Sequence, residues 1–188
     1  RFLAGSRDDV RGRVLQVGEP LYTRQFGDDR VTRSDVLHAE AGNDAATVVG
    51  DLATGQGIES NAYDCIILTQ VLQCIFEVHS AVRECHRALR PGGVVLATLP
   101  GVSQISRFDM DRWGDYWRFT SLSAQRLFAQ VFGESNVSVQ TFGSALSATA
   151  FIQGMGVDDL TPRELEARDR DYEVTIAVRA VKWEHKTP

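Results

Sequence analysis

The sequence predicts one α/β domain, a Rossmann-like, mostly parallel sheet with helices on both faces. Three observations predict it. The strongest apolar runs are continuous rather than alternating, the pattern of strands buried on both faces. A helical apolar stripe lies between two of these runs. A Pro-Gly-Gly turn then separates that helix from the next strand, which makes a βαβ crossover.

Arg13 to Gly18 (RVLQVG) reads as the first buried strand, and Val31 to Val36 (VTRSDV) as a weaker second. Thr47 to Val49 gives a short third, Tyr63 to Thr69 (YDCIILT) a strong fourth, and Gly93 to Leu99 (GVVLATL) the fifth. Between the last two, Val71, Ile75, Val78, Val82, Cys85 and Leu89 recur alternately four and three residues apart, one face of a helix. Arg90-Pro91-Gly92-Gly93 should stop it, because proline cannot continue the ladder and glycine accepts the turn.

A second helix is predicted from about Ser121 to Phe132, with Leu127, Phe128, Val131 and Phe132 as its stripe and Gly133 as its stop. Val137 to Phe142 follows as a strand. Thr161-Pro162-Arg163-Glu164 has the form of a capping box with proline at the first helical position. The last strand, Tyr172 to Val181, alternates apolar and polar residues, so it should be more exposed and antiparallel. Pro100 to Thr120 is a long, aromatic and charged connection, and such loops are usually functional.

Composition narrows the function classes. The 188 residues suit one domain with a sizeable core. The net charge is −5 and the arginines are scattered, whereas a duplex binder needs a basic face. No nucleic-acid partner is therefore expected. No apolar run approaches the roughly 20 residues of a membrane span, and no secretory signal opens the chain, so no membrane partner and a cytoplasmic setting are expected. Cys65, Cys74 and Cys85 lie in apolar runs without CxxC spacing and read as buried, reduced thiols. His79 and His86 share a helix face but lack the spacing and third ligand of a metal site, so no metal is expected. The chain opens on Arg1 without methionine, as a fragment or a processed chain would.

In open α/β sheets, ligands sit beyond the carboxyl ends of the strands. Asp35 closes the second predicted strand, and a carboxylate there can accept both hydroxyl protons of a ribose. Asp51 follows the third, where a carboxylate can take the exocyclic amine of adenine. Singly, each is as readily a cap or loop carboxylate. Together they favour an adenosine site.

These pieces resemble a known family. GRVLQVG, the acidic end of the second strand, GDLATGQGIESNAYDCIILTQVL and LRPGGVVLATLPG are similar to class I S-adenosylmethionine-dependent methyltransferases of the small-molecule, type 11-like kind. DYWRFTSLSAQRLF (Asp115 to Phe128) resembles a segment after their fifth strand, and the likeness runs from about Gly12 to Phe142. It implies a seven-stranded sheet with a reversed terminal strand, and S-adenosylmethionine across the first and fourth strand ends. It implies methyl transfer to a small-molecule acceptor, such as a sugar or natural-product hydroxyl or amine. Helices before the first strand usually cap the cofactor in this family; only about a dozen residues precede it here, so they should be missing or truncated.

One departure stands out. The family's turn after the first strand has the form GxGxG, and here Gly18 is followed by Glu-Pro-Leu-Tyr-Thr. Pro20 and Tyr22 forbid the usual backbone path, so a different loop must form. Glu19 would then meet the cofactor's ammonium, and Tyr22 or Thr23 its carboxylate. Gly18, Leu52, Thr69 and Gln70 complete the expected cofactor shell. The altered turn also motivates an alternative, a catalytically inactive module that binds a protein partner. A place in a larger protein and a homodimer both stay open. A nicotinamide enzyme is disfavoured because it needs G-x-G-x-x-G.

Methyl transfer from a sulfonium is an in-line displacement that relies mainly on positioning. A base helps only where a hydroxyl must lose its proton. The loop from Pro100 to Thr120 is expected to cover the acceptor, with Asp109 and Asp111 as base candidates. Trp113, Trp117 and Arg118 are expected to contact substrate, with Gln73 where the family often has histidine. The competing reading makes Trp117 and Phe119 a hydrophobic plug and pairs Arg118 with an aspartate.

Overall fold

The computed structural model describes residues 1–183. Its strands are β1 (Gly12–Val17), β2 (Val31–His38), β3 (Val48–Val49), β4 (Tyr63–Thr69), β5 (Leu89–Pro100), β6 (Val137–Phe142) and β7 (Thr175–Val181). The helices are α1 (Phe2–Gly5), α2 (Leu21–Gly27), α3 (Val78–Ala88), α4 (Arg107–Met110), α5 (Ser121–Phe132), α6 (Ala145–Ile152) and α7 (Pro162–Glu166). One sheet runs in the order β3-β2-β1-β4-β5-β7-β6. The pairs from β3 across to β5 are parallel. β7 is antiparallel to β5 and β6, so the reversed terminal strand is present.

Strand alternation divides the core in two. Ile66 and Leu68 of β4, with Val95, Ala97 and Leu99 of β5, face α3 and α5. Cys65, Ile67, Val94 and Leu96 face the other way, onto Phe2 and Leu3 of α1 and Phe26 of α2. Residues offset by one along a strand thus serve opposite layers, which is why these strands carry no polar face. Burial raises the thiol of Cys85 to about 12, and that of Cys65 rises further for the same reason.

The helix predicted from Val71 to Leu89 is shorter than its apolar stripe. A single 3-10 turn covers Leu72–Cys74, and α3 begins at Val78. The Trp117 indole N–H donates to the Ile75 carbonyl at 3.0 Å, which removes that acceptor from a continuous helix. Val71 and Ile75 still pack against the core, so the stripe survives without the helix. At the far end β5 already begins at Leu89, and the Pro-Gly-Gly segment is an irregularity inside the strand.

Four helices were not legible in the sequence, the short α1 and α4 and the longer α2 and α6. α2 follows Gly18 almost at once, held by the Gln16 Oε1 acceptor, which receives the Thr23 N–H at 2.9 Å and hydroxyl at 2.8 Å. α6 starts with a Ser144–Ser147 capping box, a weaker signal than the usual Ser/Glu form.

Phe128 is fully buried in the α5 layer. Phe128→Ala is expected to cost about 3–5 kcal/mol. Urea unfolding checks this: the midpoint falls while the slope stays unchanged.

Candidate active site

β1 lies between β2 and β4 and is parallel to both, so the chain diverges just beyond its end. Gly18 occupies that point with φ of 87°, a conformation that favours glycine. A side chain there would meet no atom within 4 Å, so a ligand can approach the backbone. Two cavities open along this edge of the sheet. One, of about 510 Å³, is lined by His38, Glu40, Asn43, Asp44 and Trp113 among others. The second, of about 380 Å³, lies over the ends of β4, β5 and β7 and includes Tyr22, Thr69, Gln70, Thr98 and Thr175.

Asp35 is not at the end of β2, contrary to the sequence expectation, because three more residues continue the strand. Its side chain is only 2% exposed. Arg13 Nε donates to it at 2.7 Å, Arg33 Nε at 3.0 Å and the Thr47 hydroxyl at 3.3 Å. That carboxylate neutralises Arg13, which also stacks on Tyr63 and bonds Glu59. It cannot face a ribose in either cavity. The residue beside Gly18 is His38, whose Nε2–H donates to the Gly18 carbonyl at 2.7 Å. Its Nδ1 then accepts from Asn43 at 3.3 Å, which fixes the neutral tautomer. Two residues on, Glu40 lines the first cavity with no partner for its carboxylate among the described residues. The sequence reading took His38 for a loop residue and passed over Glu40, because it ended the strand two positions early.

Asp51 does follow β3, but its carboxylate accepts from the Ala53 N–H at 2.7 Å and the Thr54 hydroxyl at 3.0 Å. This is the loop-capping role weighed as the alternative. Leu52 points into the core. Glu19 is exposed, and Thr23 is buried with both donors on Gln16. Tyr22 lines the second cavity and stacks on Phe26.

Thr69 and Gln70 close β4 beside that cavity. Gln70 has φ of 55°, an uncommon conformation for a side chain other than glycine. Gln73 supports it, donating from Nε2 to the Gln70 carbonyl at 2.8 Å, and is too buried to serve as a surface contact.

The loop after β5 divides in two. Its C-terminal part is a plug: Phe119 is buried, Trp117 bonds Ile75, and Arg118 grips Asp115 at 2.6 Å. Arg118 also donates to the Gln104 carbonyl at 2.6 Å, so its fork is occupied. Its N-terminal part carries α4 and projects Trp113 over the first cavity. Asp109 and Asp111 line neither cavity. The structure therefore brings Tyr22, Thr69 and Gln70 together at the second cavity and places Trp113 at the first. It leaves Asp35, Asp51, Thr23, Trp117 and Arg118 in structural roles.

Residues 22–97 match the family described as a methyltransferase domain. The match begins at Tyr22, within the altered turn. In sheet order and in this match the chain is similar to class I methyltransferase domains. Solved methyltransferase structures share the fold. A chain from the complex of the Haloferax volcanii Trm112 methyltransferase activator with a methyltransferase gives a TM-score of 0.60 at 14% identity, over 98% of this chain and 91% of that one. An S-adenosylmethionine-dependent methyltransferase from Archaeoglobus fulgidus gives 0.59 at 11% identity, over 96% and 88%. A phosphoethanolamine N-methyltransferase from Haemonchus contortus, bound to its product-side cofactor, gives 0.58 at 14% identity. That likeness covers 93% of this chain and 49% of that one. No curated protein matches it in sequence.

Two outcomes test the roles assigned here. Asp35→Asn leaves Arg13 without its buried counter-charge and should cost about 3–5 kcal/mol in urea unfolding. Arg118 first, then the Ser106 N–H, holds the Asp115 carboxyl below the usual aspartate range. A depressed carboxyl stabilises the fold above its unfolded titration, and that contribution disappears as pH falls through the lower folded value. Asp115→Asn should be less stable than wild type at about pH 6, with the gap closing toward about pH 3 in thermal unfolding.

Proposed function

We propose that the domain binds S-adenosylmethionine across the ends of β1, β2 and β4 and transfers its methyl group to a small molecule. The observation that carries this is the pair of cavities at the strand ends, one beyond β2 and one over β4 and β5, on a sheet ordered β3-β2-β1-β4-β5-β7-β6. The group fits the residues present: Gly18 offers open space, and the first cavity offers carboxylates without partners. When bound, the sulfonium supplies an electrophilic methyl group and leaves as a neutral sulfide.

Glu40 is placed to accept the two ribose hydroxyls, the role first expected of Asp35. Trp113 supplies an apolar wall for the nucleoside on the same side. His38 keeps the Gly18 carbonyl turned toward β2, which holds the turn open without further glycines. Tyr22, Thr69 and Gln70 then receive the amino-acid end of the cofactor. The Trm112 activator complex among the neighbours keeps a partner-binding role in view, and it is compatible with this one.

Isothermal titration with S-adenosylhomocysteine tests the reading. A Kd in roughly the micromolar range is expected. Glu40→Gln should weaken it about tenfold, as for one lost charge-assisted pair, while Asp35→Asn changes stability and not affinity. No heat and no thermal shift with the wild-type protein would end the proposal.

A further inference from the structure

β6 is an edge of the sheet, with β7 as its neighbour on one side. Among the described residues, only β7 bonds its backbone between 137 and 141. The opposite edge of the sheet is β3, two residues long. β6 is six residues long and pairs with β7 without a bulge. Open edges are normally blunted by shortness, proline, lysine, an inward charge or a bulge. VSVQTF carries none of these. The chain is 24% charged, yet no charged side chain occurs from Ser135 to Val157.

The two faces of the strand differ. Val137, Val139 and Thr141 form one row, all β-branched, and the two valines pack against the core. Ser138 and Gln140 belong to the other row and are exposed. Covering either row strips no charge of its hydration.

The two ends of β6 carry opposite charges. Glu134 comes just before the strand. Arg168 bridges Gly143 just beyond it and lies over the Phe142 ring at 4.5 Å. The neighbouring Asp169 carboxylate accepts from the Asp171 N–H at 3.0 Å. An antiparallel strand of the same sequence brings each start to the other's end, so glutamate approaches arginine at both ends. A second copy therefore matches this edge in shape, in polarity and in charge.

We propose that β6 pairs, antiparallel and about a twofold axis at Val139, with β6 of a second copy of this chain. The two sheets then continue as one. That axis sets Val139 opposite itself, Val137 opposite Thr141, and Ser138 opposite Gln140. Directly opposed residues share a face, so each row meets its own kind. An axis further along would run the ladder into Gly143, where Arg168 already bridges. The inference does not depend on the cofactor reading. It does bring the joined edge next to the second cavity, because Phe142 lines that cavity.

Sedimentation equilibrium of the full chain, without ligand, tests the pairing. A dimer with a Kd at or below roughly 10 μM is expected. Ser138→Lys combined with Gln140→Lys sets lysine opposite lysine twice, and should weaken the dimer at least about tenfold. Ser138→Lys combined with Gln140→Glu changes the same two positions but sets lysine opposite glutamate. That variant should associate at least as tightly as wild type. Both side chains are exposed, so both variants should fold, which thermal unfolding checks. A wild-type monomer at every concentration, undiminished dimerisation with the paired lysines, or equal weakening in both variants overturns the inference.

Discussion

The site depends on one constraint: β1 has a parallel neighbour on each side. The chain must leave the end of β1 and return through crossovers on opposite sides, so a crevice opens where they part. Gly18 sits in that crevice because the turn demands a positive φ there, and the same lack of a side chain leaves room for a ligand. Two cavities lie along this edge of the sheet. Their different linings follow from which strands end beside them, β2 with its polar loop on one side, β4, β5 and β7 with their apolar rows on the other.

Losing the later glycines of the usual turn does not close this crevice. Pro20 fixes the entry to α2, and Gln16, from inside β1, receives both donors of Thr23. The helix is thereby tied to the strand before it rather than to a glycine-rich loop. His38 ties the other side by holding the Gly18 carbonyl. The turn is fixed by two side chains where backbone freedom would otherwise be needed. The space beside Gly18 thus persists without the later glycines.

The architecture was legible because periodicity reports burial, and this sheet is buried on both faces. YDCIILT and GVVLATL could be little else but central parallel strands, and α5 and β6 kept their predicted bounds. The site was harder to read because a site depends on where a strand ends. Taking β2 to stop at Val36 made Asp35 the terminal carboxylate. The hydrogen-bond register instead sets Asp35 opposite Leu15, in mid-sheet. A buried carboxylate requires a counter-charge, and Arg13, the residue before Val14 in β1, was the available signal. The loop after β5 misled for a related reason. Its aromatics suggested a ligand wall, but Trp117 and Phe119 complete the core, and sequence does not separate the two uses.

That loop also explains why a base was sought in the wrong place. Its end is fixed by the Asp115–Arg118 pair, the Trp117 indole and the buried Phe119. Only the stretch before this anchor is free to project, and it reaches the β2 side, where Trp113 meets the residues after His38. Asp109 and Asp111 travel with that stretch, so whatever moves the loop moves them with the nucleoside half of the crevice.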